Sequence, residues 1–185
     1  ARLCSVPYVA VTGTNGKTTT VEMLTSVMRA DGLDAVACGN IGYPLSLAAG
    51  EGHDALAVEA SSFQLRFQTS FHPRVSVLLN LAPDHLDWHG SFEAYADAKA
   101  RIYAQQSGDD VHVGNADDAG AHLISSAAAC RTSWFRLGEP GDGEVGYVDG
   151  RLVARLDREI VVGRLPSTNA GFMADAAAAT AAALS

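Results

Sequence analysis

Tyr8-Val-Ala-Val-Thr12, followed at once by Gly13-Thr-Asn-Gly-Lys-Thr18, is the stretch on which the reading of this chain turns. The first run is short and apolar up to Thr12, as a strand buried in a parallel sheet is. The second is a Gly/Asn turn. From Thr18 to about Ala30, Val21, Leu24, Val27 and Met28 then recur on one helical face. Strand, glycine turn and helix in that order are the setting of a phosphate-binding loop. Glycines let successive backbone N–H groups converge on phosphate oxygens, and the helix N-terminus adds positive dipole. On this reading Gly13, Thr14, Asn15, Gly16 and Thr19 help cradle the phosphates of a nucleotide. Lys17 reaches the β- and γ-phosphates, and Thr18 offers its hydroxyl to Mg²⁺. The spacing departs from G-x4-G-K-[ST]: Val11 stands where the pattern has its first glycine, and Gly13 lies nearer Lys17.

Outward from this stretch, strands and helices alternate. Residues 33–38 read as a second strand, closed by Gly39-Asn-Ile-Gly42, with a short helix from Pro44. Residues 55–58 read as a third strand that ends on Glu59, and residues 75–79 as a fourth, leading into Asn80 and a loop over 82–87. Ser91 is placed as the N-cap of a helix running to about Gln105. A fifth strand at 111–113 and a helix over 119–129 follow. The alternation predicts an α/β fold, a three-layer and mostly parallel sheet carrying a P-loop. Residues 132–163 differ: strand-like pieces at 134–137, 144–148 and 152–156 are separated by Gly-Asp-Gly and Asp-Gly turns. Asp149-Gly150 is a hairpin signal, so a small antiparallel meander is expected there. Residues 173–184, mostly alanine, predict a last helix.

Composition bounds the function. Of 185 residues, 48% are apolar and 18% charged, which excludes a disordered chain and allows a proper core. Lys and Arg number 13 against 21 Asp and Glu, a net charge of −8, so no nucleic-acid partner is expected. No apolar run approaches the ~18 residues a membrane helix needs, and no membrane partner is expected. Cys4, Cys38 and Cys130 are odd in number, far apart and without a CxxC pair. They predict buried small side chains in a reducing, cytoplasmic setting. The chain opens on Ala1, and its final helix lacks a Gly or Asn cap. Residues 1–185 are therefore expected to be one domain of a longer protein.

Several side chains carry candidate chemistry. Glu59, at the end of a buried strand beside the phosphate loop, can hold Mg²⁺; alternatively it is a strand-end acid facing water. His85 and His89 have the H-x3-H spacing of half a zinc site, with no Cys or further His placed to complete it. Tyr95 and Lys99 have the Y-x3-K spacing of short-chain dehydrogenases, but Gly16 is followed by Lys17-Thr18 and the glycine pattern of those enzymes is absent. A Lys at position 99 is otherwise an exposed helical lysine. Asn169 can cap the last helix. Arg66 and Arg101 either add charge near phosphates or lie on the surface.

Gly13-Thr-Asn-Gly-Lys-Thr18 resembles the shortened ATP loop of the Mur ligases and of folylpolyglutamate synthase. Glu59-Ala-Ser-Ser-Phe-Gln-Leu65 and Gly39-Asn-Ile-Gly42 resemble segments of the D-glutamate-adding Mur ligases. Asn80-Leu-Ala-Pro-Asp-His-Leu-Asp87 is similar to the family's Asn-x-x-x-Asp-His-x-Asp loop, with Pro83 where those members often have Glu. Ala98-Lys-Ala-Arg-Ile-Tyr103 matches the segment whose lysine is carbamylated by CO₂. Asn169 falls where the family has a His-Asn pair near the adenine, with Thr168 in place of the His.

The resemblance implies a ligase that uses ATP to join D-glutamate to UDP-N-acetylmuramoyl-L-alanine through an acyl phosphate. It implies catalytic roles for Lys17, His85 and Lys99, and substrate contacts at Asn40, Ser61 and His85. It also implies two Mg²⁺ sites, one at Thr18 and Glu59, the other at His85 and carbamylated Lys99. A monomer is expected, the central domain of three, working with N- and C-terminal domains of its own chain. The alternatives are another Mur ligase or a folylpolyglutamate synthase, against which the Ser-Ser-Phe-Gln-Leu and Gly-Asn-Ile-Gly strings argue. A further alternative is a non-catalytic P-loop module, which has no need of Glu59, His85 and Lys99 together.

Overall fold

Strand β1 (Tyr8–Thr12) is buried along its whole length, and its side chains alternate between two cores. Val9 and Val11 enter one cluster with Val21, Leu24 and Val77; Tyr8 and Ala10 enter a second with Leu56, Val58, Leu65 and Ile102. Period-two alternation on a strand with both faces covered produces this division. The computed structural model describes residues 4–156 and 158–185. A single nine-stranded sheet organises them, in the order β2-β3-β1-β4-β5-β6-β7-β8-β9.

The strands from β2 to β7 in that order pair in parallel, namely β2 (Ala35–Gly39), β3 (Ala55–Glu59), β1, β4 (Val75–Leu78), β5 (Val111–Asn115), β6 (Arg131–Leu137) and β7 (Glu144–Val148). Strands β8 (Arg151–Arg155) and β9 (Glu159–Arg164) complete the sheet in antiparallel pairing. Helices α1 (Lys17–Ala30) and α7 (Ala170–Ala183) pack side by side on the face that holds Val9 and Val11. The other face carries α2 (Leu45–Ala48), α3 (Ser62–Phe67), α5 (Phe92–Ala100) with the 3₁₀ turn Arg101–Tyr103, and α6 (Ala119–Ser125). In α7, Ala176–Ala179 and Ala181–Ala182 are buried, and their small side chains let the helix lie close to the sheet.

On the second face, at β4 and β5, a polar network lies beside the apolar packing. His112 of β5 is fully buried, with Nδ1 on the Ser76 hydroxyl (2.7 Å) and Nε2 on the Ser125 hydroxyl (2.9 Å). Burial pushes its imidazole down to about 3, so it is neutral and ties β4, β5 and α6 together.

The expected three-layer, mostly parallel sheet is found, with local corrections. The helix capped by Ser91 stops at Ala100 and tightens into one 3₁₀ turn instead of reaching Gln105, and the helix from Ala119 ends at Ser125. The loop over 82–87 already contains the start of α4 (Leu86–His89), and α3 was not foreseen. The meander is antiparallel only from β7 onward. Strands β6 and β7 are parallel neighbours, with Trp134 opposite Glu144 and Leu137 opposite Tyr147. The connection between them folds back over β7. Gly146 makes room for it, because a Cβ there would overlap the Gly138 carbonyl and press on Pro140. Of the cysteines, Cys38 is buried, while Cys4 and Cys130 are half-buried; all three are free thiols.

Candidate functional site

The chain leaves β1 in opposite directions, toward β2 and β3 on one side and toward β4 and β5 on the other. Such a switch point opens a crevice at the C-terminal strand ends. The loops after β1, β3 and β4 meet there around a cavity of about 150 Å³, lined by Gly13, Lys17, Asn40, Ser61, His85 and Lys99 among others. Six side chains or glycines singled out in the sequence, from five separate stretches, thus line one cavity.

Gly16 is the N-cap of α1 and sits in the left-handed region at φ 85°, a conformation that favours glycine. Among the described residues, the N–H groups of Gly16, Lys17, Thr18 and Thr19 donate to no protein acceptor, which leaves them directed out of the helix end. Thr14 and Asn15 differ from the sequence expectation. Their N–H groups donate to the Asn80 side-chain oxygen at 3.0 and 2.9 Å. The amides left without a protein acceptor are therefore those of the first helical turn rather than the whole loop.

Lys17 curls back so that Nζ donates to the carbonyls of Gly13 (3.0 Å) and Thr14 (2.9 Å). Lys99, from α5, donates to the same Gly13 oxygen at 2.8 Å. Lys99 is only 2% exposed, and its Nζ lies 4.6 Å from the centre of the Tyr95 ring. Burial, with Lys17 as a like-charged neighbour, brings its amine down to about 7. An exposed helical lysine is thereby excluded at this position. Tyr95 is tied to the loop in turn, its hydroxyl 3.0 Å from that of Thr14.

Glu59 points inward, 3% exposed, where β3 lies beside β1. One carboxylate oxygen accepts from the Thr18 hydroxyl at 2.7 Å, the other from the Asn40 amide at 2.9 Å. Hard oxygen donors at a helix N-terminus suit Mg²⁺, and the Thr18–Glu59 pair fits that ion. Asn40, expected to meet substrate, first of all holds this carboxylate in place.

Ser61 caps α3 in a capping box: its Oγ accepts from the Gln64 N–H, and its own N–H donates to the Gln64 side chain. His85 caps α4 from a left-handed conformation, φ 50°, which is uncommon for a side chain other than glycine. Its ring packs on Phe63 at 4.9 Å, and its Nε2 is 3.4 Å from Asp84. His89 does not join His85 in a metal site. It is buried, with Nε2 on the Ser62 hydroxyl at 3.0 Å, and burial next to Arg66 and Lys99 pulls its pKa down. Among the described residues no three His, Cys, Asp or Glu side chains cluster as metal ligands.

Asn169 lies apart from these groups. Its Oδ1 accepts from the Phe172 N–H at 2.9 Å, so it caps α7, beside an open groove whose lining includes Thr168 and Met173. Arg66 stacks over Trp88 and Arg101 donates to the Gln68 carbonyl, so both serve the surface of α3 and its neighbours. Two residues of the site have no role in the sequence reading. Asn80 heads the Asn-x-x-x-Asp-His-x-Asp loop there, with no contact assigned to it. Asp175, the only charged residue of α7, lies against Gly16, where a Cβ would overlap its carboxylate.

The family profile of the Mur ligase middle domain matches residues 11–143. The UDP-N-acetylmuramoylalanine–D-glutamate ligase of Nocardia farcinica is 46% identical over 180 residues, covering 94% of this chain and 37% of that relative. The chain thus spans little more than a third of the length of such curated relatives. Among solved structures, a UDP-N-acetylmuramoyl-L-alanyl-D-glutamate–2,6-diaminopimelate ligase superposes with a TM-score of 0.75 at 26% identity, over 97% of this chain and 43% of that one. The MurF ligase from Thermotoga maritima in complex with ADP gives 0.70 at 25% identity, over 95% and 44%.

Proposed function

This chain belongs to the Mur ligase middle-domain family, and we propose that it is the ATP-using part of a longer ligase joining D-glutamate to UDP-N-acetylmuramoyl-L-alanine. The observation that carries the reading is the convergence of Lys17 and Lys99 on one carbonyl, Gly13, beside a Thr18–Glu59 oxygen pair at a helix N-terminus. A nucleotide-binding module without chemistry has no use for the second, buried lysine.

In the proposed reaction a carboxylate oxygen of the muramoyl-alanine attacks the γ-phosphorus of ATP. The bond to the β–γ bridging oxygen breaks, giving an acyl phosphate and ADP. The D-glutamate amine then attacks the acyl carbon, loses a proton, and phosphate departs with the former acyl oxygen. The first-turn amides of α1 hold the phosphates, and Lys17 swings from its loop carbonyls to the β- and γ-oxygens. Thr18 and Glu59 would hold one Mg²⁺, with Asn40 keeping the carboxylate aimed. Lys99, half neutral near pH 7, reacts with CO₂ to give a carbamate and a proton, and this carbamate with His85 would hold a second Mg²⁺. Bound Mg²⁺ supplies charge neutralisation of the transferring phosphoryl group. Asn40, Ser61 and His85 face the acid substrate from the other wall, and Asn169 lies toward the nucleoside. Further domains of the same protein supply the remaining contacts. A single copy provides every residue named, so we propose a monomer, at work in the cytoplasm where ATP is made and spent.

The test is ADP release by the whole protein with UDP-N-acetylmuramoyl-L-alanine and a panel of amino acids. ADP release that requires D-glutamate supports the reading. Release with another amino acid, or none with any, overturns it.

A further inference from the structure

The loop after β1 lacks the first glycine of a full-length phosphate loop, with Val11 at that place, and it is hydrogen-bonded to a neighbouring segment. Its brace comes from another strand. Asn80, directly beyond β4, accepts the Thr14 and Asn15 N–H groups on its side-chain oxygen at 3.0 and 2.9 Å. Its amide donates back to the Asn15 carbonyl at 3.1 Å, and its own carbonyl accepts from Thr14 N at 3.1 Å. The next residues continue the seam: Ala82 N–H donates to the Thr14 hydroxyl at 3.0 Å, and that hydroxyl reaches the Ala82 carbonyl at 3.2 Å.

We infer that Asn80 is the positioning residue of the phosphate loop, resting on the nucleotide-binding reading above. One planar amide offers an acceptor and donors in fixed relation, and so clamps both sides of the Asn15 peptide unit. The clamp has two consequences. It turns the Thr14 and Asn15 amides away from the nucleotide, leaving the phosphates to Gly16–Thr19. It also fixes the Gly13 and Thr14 carbonyls on which Lys17 rests, and the Gly13 carbonyl on which Lys99 rests. Holding these groups before the ligand arrives spares the ordering cost that binding otherwise bears. Asn80 touches neither phosphate nor metal in this scheme; it acts through the loop.

Asn80→Ala and Asn80→Asp are the variants that test it, with Lys17→Ala as the control for the nucleotide site itself. The readouts are amide hydrogen exchange at Thr14 and Asn15, calorimetric affinity for MgATP, KM for each substrate, and the unfolding midpoint. For Asn80→Ala we expect Asn15 to exchange at least tenfold faster, with a smaller change at Thr14, whose N–H keeps the Asn80 main-chain carbonyl. MgATP affinity should fall about tenfold or more, the magnitude of one or two lost hydrogen bonds to a preorganised site. KM for ATP should rise while KM for the acid substrate holds. Asn80→Asp keeps the acceptor for both amides and should restore their protection, which covers the case in which Asn80→Ala does not fold.

If Lys17→Ala weakens MgATP and Asn80→Ala does not, the inference about Asn80 is wrong and the nucleotide site stands. If Lys17→Ala leaves MgATP affinity unchanged, the nucleotide reading itself fails. Equal losses in every KM, together with a lowered unfolding midpoint, mark a residue of general stability and also overturn the inference.

Discussion

Replacing Asp175 with Asn should make the protein more stable, although it removes the only charge of α7. Asp175 is 7% exposed, faces the backbone of Gly16, and among the described residues has no ion-pair partner. Burial raises its carboxyl from 3.8 to about 6, and the nearby Thr20 hydroxyl offsets only part of that rise. The sign follows from proton counting. Between about pH 4 and pH 6 the folded state keeps a proton that the unfolded state has released, so stability falls as pH climbs through that window. Above pH 6 the full cost of the buried charge is present. A shift of about two pKa units corresponds to about 3 kcal/mol as a ceiling. Buried sites in proteins respond as a medium of higher permittivity than a dry interior, which trims this to about 1–2 kcal/mol. Asn keeps the shape of the side chain and carries no charge.

Urea unfolding at pH 7.5 should therefore show Asp175→Asn more stable by about 1–2 kcal/mol, a rise in Tm of a few degrees for a chain this long. At about pH 3.5, below both pKa values, the two proteins should nearly coincide. MgATP affinity should hold or improve, since an anion leaves the helix end that receives the phosphates. A less stable variant at pH 7.5, or a difference that does not change with pH, refutes the argument.

Other outcomes follow from the same geometry. Lys99→Ala should lower turnover of the whole protein by about a hundredfold or more, with MgATP affinity changed only a few-fold and no remaining response to added bicarbonate. In the unaltered protein, turnover at limiting CO₂ should rise through about pH 7 and level off above it, following the neutral fraction of Lys99. Glu59→Gln keeps the shape but not the charge, so the Mg²⁺ concentration for half-maximal activity should rise about tenfold, while the far-UV spectrum is unchanged. Gly146→Ala puts a methyl group into the Gly138 carbonyl, which is backbone and cannot step aside; denaturant unfolding should register a loss of about 1–3 kcal/mol.

Much of this could be read from the sequence because its signals are local. Strand β1, its turn and α1 follow from a change of apolar period over some twenty residues, and Glu59 is marked by the apolar run before it. Helix α3 was missed although its capping box, Ser61 and Gln64, lies in plain view, because six residues give too little period to register. The parallel pairing of β6 with β7 escaped for another reason. A short connection normally makes a hairpin; here it folds back over β7, and the missing side chain of Gly146 leaves room for it, a contact formed only in three dimensions. Asn80 and Asp175 are of the same kind. Each acts on the phosphate loop from far along the chain: Asn80 heads a recognisable motif, but nothing near either residue in sequence announces its contact with that loop.

The two lysines set an order of events. In a chain of net charge −8, Lys17 and Lys99 place two cationic side chains on one carbonyl oxygen. Lys17 is one reason the Lys99 amine is poised near 7, and only the neutral amine takes up CO₂. Polyphosphate bound at Lys17 would cancel that influence and raise the Lys99 pKa, reducing the reactive fraction. Under the proposed chemistry, carbamylation therefore proceeds faster in the nucleotide-free protein, and the nucleotide with its Mg²⁺ then retains the carbamate. Protein stripped of CO₂ and given bicarbonate before ATP should start at full rate. The same protein given ATP first should show a lag that lengthens as ATP saturates. Lags of equal length in both orders of addition would show that Lys17 does not control the reactivity of Lys99.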